Sequence, residues 1–287
     1  MAKLRHIAIA AEDPEAMAEF YKRTFGFAEV GRPNGVLADG VFLSDGTLNV
    51  AVLKFKTDQL GKGIDYRGIH HFGVLVDDAE EFSDKLVSLG AEHYIDQGQQ
   101  GHQAGYFEKK FYGPERVLFD IAEHGWAGAA PLPEAGQDNT GPGGDPHRAK
   151  LRHIAIACKD PDAMADFYVK AFGFEIVRSN DGPLAYGHHV SDGTVDLAIL
   201  RFKTDQIGRG MDYTGLHHFG ILVEDIEHAG KIVQSHGGKH YMDQAEAERV
   251  GGFEVKMYGP EGILFDIAEH PWTGTEALPE PVKHAAE

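Results

Sequence analysis

The chain has 287 residues, 42% of them hydrophobic and 25% charged, a globular composition with room for about two domains. Its 45 acidic residues against 27 basic ones give a net charge of -18, and no Lys/Arg cluster offsets it, which excludes nucleic-acid and anionic-membrane partners. No apolar run approaches the roughly 20 residues of a spanning helix, MAKLRHIAIAAEDP is not a secretory leader, and the one cysteine, Cys158, cannot pair internally; a soluble, cytoplasmic protein is expected.

Residues 4–10 set Leu4, His6, Ala8 and Ala10 on one side of an extended chain and Arg5, Ile7 and Ile9 on the other, which predicts a strand. A helix follows, with Asp13 as N-cap, Pro14 at its first position, an apolar stripe of Met17, Phe20, Tyr21 and Phe25, and Gly26 closing it. Strand candidates at 36–43 and 47–55 are joined by SDGT, a hairpin signal. GIHHFGVLV at 68–76 predicts a second long strand, and 77–90 a second helix with Phe82, Leu86 and Leu89 inward. Closing strands are expected at 104–112 and 116–123, whereas 92–103 carries no clear strand pattern.

The whole pattern then repeats. LRHIAIA recurs at 151–157 and GIHHFGVLV as GLHHFGILV at 215–223, both offset by 147, and FYGPERVLFDIAEHGW (111–126) matches MYGPEGILFDIAEHPW (257–272) at an offset of 146. Between the copies, 135–150 is rich in Gly, Pro and polar residues and reads as a flexible linker. A period this long makes each copy a complete domain, 1–134 and 151–287, and the two are expected to pack as a pseudo-dimer.

Alternation along the strands gathers the chemistry on one face. His6 lies with Ala8 and Ala10, His71 with Gly73, and Asp120 with Ala122; the second copy has His153 with Ala155, His218 with Gly220, and Asp266 with Ala268. A lone buried histidine is more often a hydrogen-bonded core residue than a ligand. Two histidines and a carboxylate on three strands, each beside small residues that leave a cleft, point instead to a divalent metal with open positions. Asp196 is a candidate fourth ligand and Asn49 a weaker one, while His70 and His217 are expected on the opposite face as structural residues.

HIAIA with DPEAMAEFYKRTFGF, GIHHFGVLVDD and YGPERVLFDI, and their second copies, resemble the vicinal oxygen chelate superfamily, which includes glyoxalase I, methylmalonyl-CoA epimerase, extradiol dioxygenases and resistance proteins. The resemblance covers both copies nearly end to end. It implies an α+β fold of two tandem domains, each built from two βαβββ modules forming an open, barrel-like sheet. It also implies metal ligation by His6, His71 and Asp120 and by His153, His218 and Asp266, with the family's extra acid mapping to Asn49 and Asp196. Two departures stand out: the last-strand acid is Asp where Glu is usual, and the common DPDG turn is reduced to GPE. Sites lie either within one domain or across the two, His6 and Asn49 then joining His218 and Asp266, and His153 and Asp196 joining His71 and Asp120.

The leading expectation is an Fe(II)-dependent extradiol-type dioxygenase, since two histidines and one acid leave room for a bidentate diol and O2. Tyr112 and Tyr258 sit where that family's signature has a tyrosine, but its acid/base histidine is missing in the second copy and His102 is out of register in the first. The alternative is a glyoxalase- or epimerase-like lyase or isomerase with Zn, Ni or Mn and Asp196 as base, and the next a small-molecule-binding resistance protein. The partner is a small molecule in each case, with a further homo-oligomer allowed. The twin loops FKTDQLGKGIDY (55–66) and FKTDQIGRGMDY (202–213) are either lids or shared structure. His188 and His189 are expected at the surface rather than in the cleft, Trp126 and Trp272 as tail anchors, and Cys158 as no nucleophile.

Overall fold

The first repeat begins with β1 (Ala2–Ala10), α1 (Pro14–Phe25), β2 (Ala28–Gly31), β3 (Ala38–Ser44) and β4 (Asn49–Phe55). Its second module is β5 (Gly68–Val76), α2 (Ala79–Ser88), β6 (Glu92–Gln97), β7 (Glu108–Tyr112) and β8 (Leu118–Ala122). In the computed structural model the described residues are 1–97, 108–133, 149–242, 246, 249 and 252–278. Most of the expected linker, residues 104–107 and His102 lie outside them. The second repeat follows the same order: β9 (Lys150–Ala157), α3 (Pro161–Phe172), β10 (Glu175–Asp181), β11 (Ala185–Ser191), β12 (Asp196–Phe202), β13 (Gly215–Leu222), α4 (Ile226–Ser235), β14 (Lys239–Met242), β15 (Val255–Tyr258) and β16 (Leu264–Ala268).

The helices start and stop where the sequence marks them. The Asp13 carboxylate accepts from the Ala16 backbone N–H, Pro14 opens α1, and Gly26 closes it at φ 73, a left-handed conformation that favours glycine. The α3 helix is built alike, from Asp160 to Gly173. The short strands β2 and β6 had no strong alternation to reveal them; both lie at sheet edges, where one face packs weakly.

Each repeat forms its own open eight-stranded sheet, ordered β2-β3-β4-β1-β5-β8-β7-β6 in the first and β10-β11-β12-β9-β13-β16-β15-β14 in the second. The two modules of a domain join where β1 runs antiparallel to β5, with β4 and β8 parallel to β1 and β5 on either side. The four strands at the centre of each sheet are therefore the ones that carry the predicted ligands.

Two bulges break the simple alternation. Leu4 pairs with Val74 and His6 with Gly73, which makes Arg5 an extra residue; Ala8 pairs with His71 and Ile9 with Ile69, which makes His70 another. Leu4 therefore joins Ile7 and Ile9 in the core instead of sharing a face with His6. His70 turns to the small-residue side, where it stacks on Phe55 at 3.7 Å between ring centroids. The second repeat bulges at the matching residues, and His217 stacks on Phe202 at 4.0 Å. The expectation that His70 and His217 sit on the opposite face is corrected accordingly.

The bulky faces of both sheets close on one shared core. Phe25 of α1 meets Phe265 of β16 edge-on at 5.7 Å, and Phe172 of α3 meets Phe119 of β8 in the same way at 5.8 Å. Each module-one helix thus packs on the other domain's module-two strands. The SDGT turns lock the arrangement. One oxygen of Asp45 accepts from the Thr47 and Leu48 backbone N–H groups of its own turn, and the other accepts from Leu151 N of the second domain at 2.7 Å. Asp192 repeats this with Thr194, Val195 and Leu4, and its carboxylate lies 3.8 Å from the fully buried Arg5 guanidinium. The bulge at Arg5 is what frees that side chain to reach across. No helix among the described residues is long and apolar enough to cross a membrane.

Candidate metal centres

The predicted ligands of each repeat meet within their own domain. His6 on β1, His71 on β5 and Asp120 on β8 bring Nε2, Nε2 and a carboxylate oxygen within 4.8 Å of one another, and His153, His218 and Asp266 do the same. The shared-site arrangement is excluded by the topology, since all three strands of a set are neighbours in one sheet.

The spacing fits a common cation. His6 Nε2 is 3.2 Å from His71 Nε2, and His71 Nε2 is 3.2 Å from Asp120 Oδ2; the second set measures 3.3 and 3.2 Å. Metal bonds of about 2.0–2.2 Å at angles of 90–110° separate ligand atoms by about 2.9–3.5 Å. The opposite nitrogens are already committed. His6 Nδ1 donates to Asn49 Oδ1 at 2.8 Å, and His153 Nδ1 donates to Asp196 Oδ2 at 2.7 Å. Asp196 can only accept when ionised, so His153 carries its proton on Nδ1 and turns the Nε2 lone pair inward. Lys110 Nζ, a pure donor, lies 3.3 Å from His71 Nε2, which assigns that lone pair inward as well, and the His71 Nδ1–H faces His70 Nδ1 at 2.7 Å. Two lone pairs converging at this distance, with the fully buried Asp120 Oδ1 lacking a hydrogen-bond partner among the described residues, are the donor pattern of a cation site.

Burial sets the protonation states. It pushes the pKa of His6 and His71 down, and brings His218 to about 4, so these three imidazoles are neutral at neutral pH. Burial opposes charge on Asp266, but His218 and Lys256 beside it outweigh this and hold its pKa below the usual carboxylate range.

Several residues escaped the sequence reading. Lys110 on β7 pairs across the sheet with Asp120, and its ammonium lies 2.5 Å from Oδ2; Lys256 on β15 contacts both Asp266 oxygens at 2.9 and 2.7 Å. Lysines only 2% and 5% exposed are rare, and both are held by the ligand carboxylate. Their repetition ten residues before each aspartate was the available signal. Trp126 and Trp272 do more than anchor the tails: they stack on His6 at 4.9 Å and on His153 at 5.1 Å. Gly73 makes room for this, since a Cβ there would sit 2.5 Å from the Trp126 ring.

The remaining candidates fall into place around these centres. Asp196 stands behind His153 and does not join His218 and Asp266 as a fourth ligand. His189, expected at the surface, instead turns inward and bonds the same Asp196 oxygen at 2.9 Å; His188 does face outward, to Asp162 and Ser179. The Tyr112 and Tyr258 hydroxyls donate to the Gln59 and Gln206 carbonyls of the twin loops. Cys158 is buried, which pushes its thiol up to about 12 and leaves it unreactive.

The sequence and fold have clear relatives. A stretch of 145 residues is 26% identical to a probable chloroplastic lactoylglutathione lyase of Arabidopsis thaliana, covering 47% of this chain and 38% of that protein. A putative lactoylglutathione lyase of Brassica oleracea var. gemmifera is 24% identical over 47% of this chain and 48% of its own. The match thus spans less than half the length of these curated relatives. Similar solved structures include a mutant of 4-hydroxymandelate synthase from Streptomyces coelicolor, with a TM-score of 0.68 and 14% identity over 95% of both chains. The 2,3-dioxygenase LapB from Pseudomonas sp. KL28 gives 0.65 and 17% over 96% of both, and the Mn(II)-bound glyoxalase from Novosphingobium aromaticivorans 0.61 and 15% over 93% of this chain and 82% of that one. The family model of the Glyoxalase/Bleomycin resistance protein/Dioxygenase superfamily matches twice, at residues 3–121 and 150–267. Each match begins near the first ligand strand and ends with the last, so with its duplicated sheet and twin His-His-Asp sets the chain belongs to that superfamily.

Proposed function

We propose that this chain is a non-haem Fe(II) dioxygenase of the extradiol type, acting in the cytoplasm on a small substrate with two neighbouring oxygens, a vicinal diol or a hydroxy-carbonyl. The observation that carries the reading is the three-membered donor set: Asp196, the acid expected as a fourth ligand, is drawn behind His153, whose Nδ1–H it accepts. Two histidines and one carboxylate on one side of a metal leave the other side open. When bound there, Fe(II) supplies those open positions and the redox chemistry for O2.

The chain's own groups prepare the rest. The stacked Trp126 and Trp272 fix the ligand rings and shield them from water. The Lys110 and Lys256 ammonium groups, 3.3 and 3.5 Å from the second histidine of each set, are placed to hold negative charge on a substrate oxygen. Tyr112 and Tyr258 pin the twin loops, and Asp196 acts through His153 rather than on substrate.

Anaerobic loading with Fe(II) followed by O2-uptake measurements over a panel of catechols tests this; stoichiometric uptake with ring cleavage is expected. A glyoxalase-type lyase is the second reading, supported by the curated relatives and by the Mn(II)-bound glyoxalase among the similar structures. Turnover of lactoylglutathione with Mn, Zn or Ni, with no O2 consumed on any diol, would replace the first reading by the second.

A further inference from the structure

We propose that the two centres are unequal, and that the Asp196–His189 pair makes the second domain's centre the one that binds divalent metal first and more tightly. The inference rests on the metal-binding part of the proposed function and not on its reaction.

The duplication provides an internal control. In both domains the two Nε2 atoms face each other at 3.2 or 3.3 Å, the aspartate lies 3.2 Å from the second histidine, a buried lysine contacts that aspartate, and a tryptophan stacks on the first histidine at 4.9 or 5.1 Å. Lys256 contacts both oxygens of Asp266 where Lys110 reaches one of Asp120; the difference in residue type lies directly behind the first histidine. In the first domain His6 Nδ1 meets the neutral amide of Asn49, whose Nδ2 is tied to the Ala127 carbonyl at 2.8 Å so that Oδ1 must face the ring. In the second, His153 Nδ1 meets the Asp196 carboxylate at 2.7 Å. That carboxylate is held from a second side by His189 Nδ1 at 2.9 Å, where the first domain has Phe42 packed among Ala8, Ala51 and Leu53.

A carboxylate behind a ligand imidazole fixes its tautomer and enriches the electron density of the facing nitrogen. A neutral amide fixes the tautomer only. Partners of this kind alter metal affinity by about 10- to 100-fold. With two histidines and one aspartate in both sets, that factor sets the expected difference between the two centres.

Calorimetric titration of the full chain with Mn(II) tests this. Two steps separated by about 10- to 100-fold in Kd are expected, the tight one abolished by His153→Ala and the weak one by His6→Ala. Asp196→Asn should bring the tight step down to the weak one, and His189→Phe should weaken it by a smaller factor. Asn49→Asp should raise the weak step, a gain that misfolding cannot mimic. Two equal sites in the unmodified chain, or a tight step that tracks His6, would overturn the proposal. So would a third Mn(II) per chain that disappears in Asp196→Asn, because the carboxylate would then be a ligand itself. Unequal Mn(II) sites in a protein that consumes no O2 would leave this inference standing and sink only the reaction; absence of Mn(II) binding would sink both.

Discussion

Replacing Lys256 by Met should destabilise the metal-free chain and at the same time tighten its hold on metal. The ammonium contacts both oxygens of Asp266, which is fully buried, and removing it leaves that carboxylate without its cation. Breaking a buried pair from one side costs about 3–5 kcal/mol, which is the deficit expected in chelator. The same ammonium lies 3.5 Å from His218 Nε2 and therefore close to any metal on that nitrogen. Like charges about 4 Å apart repel by about 4 kcal/mol per unit-charge pair at an effective dielectric near 20. The lysine stem relieves part of this by swinging aside, so a tenfold tighter Kd is taken as the minimum gain. Metal at about 100 times the original Kd stabilises the parent by about 2.7 kcal/mol and the variant, now at about 1,000 times its Kd, by about 4.1. The deficit measured by urea denaturation should shrink by about 1.4 kcal/mol between chelator and metal. A deficit of the same size in both buffers, or weaker metal binding by the variant, would show that Lys256 and the metal do not share Asp266.

Three further outcomes are expected. Gly73→Ala puts a methyl 2.5 Å from the Trp126 ring; it should cost about 1–3 kcal/mol, shift Trp126 fluorescence and weaken metal binding, whereas unchanged emission would show that the stack on His6 does not depend on the gap. Asp192→Ala strands the buried Arg5 and frees Leu4 N, so it should lower stability by about 3–5 kcal/mol by chemical denaturation, with Asp45→Ala behaving alike through Arg152 and Leu151. Stability should also fall on acidification: burial lowers His218 from 6.5 to about 4, so the unfolded chain takes up a proton that the folded one refuses, and about 3 kcal/mol is lost between those pH values at 1.36 kcal/mol per unit. His189 opposes this, because burial lowers its pKa but Asp196 raises it further, and its share is present below pH 6.5 and lost as pH rises. A denaturation midpoint that held steady from pH 7 to 4 would contradict this balance.

The duplication, the helix caps and the two His-His-Asp clusters were legible because each rests on a short-range regularity: a repeated string, an Asp-Pro start with a Gly stop, or a period of two along a strand. The errors fall where that period fails. A bulge adds one residue to one strand, and the residues on its two sides no longer alternate as counted, which misplaced Leu4, His70 and His217. Lys110 and Lys256 were passed over because lysine in EKKF or EVKM reads as solvent-facing, and only the pairing with Asp120 and Asp266 across β7–β8 and β15–β16 shows what neutralises them. The inward place of His189 is hidden in the sequence for a related reason, since its partner Asp196 lies seven residues away on the next strand and only the β11–β12 hairpin brings the two together.

The same bulges explain how two domains share one core yet keep separate sites. The extra residue at Arg5 sends a guanidinium toward Asp192 of the other domain while leaving His6, its neighbour, on the cleft face. The extra residue at His70 sets a second imidazole against His71 Nδ1 without moving His71 from its place opposite Ala8. Interface and site are thus specified by adjacent residues on one strand pair, Arg5 beside His6 and Arg152 beside His153. Loosening the interface at Asp45 or Asp192 should for that reason reach the first ligand of the neighbouring domain's centre, Asp192→Ala weakening metal binding through His6 and Asp45→Ala through His153. Stepwise Mn(II) titration of the two variants separates the effects: each should weaken one step and spare the other, and equal weakening of both steps by either variant would show that the interface and the centres are coupled only through global stability.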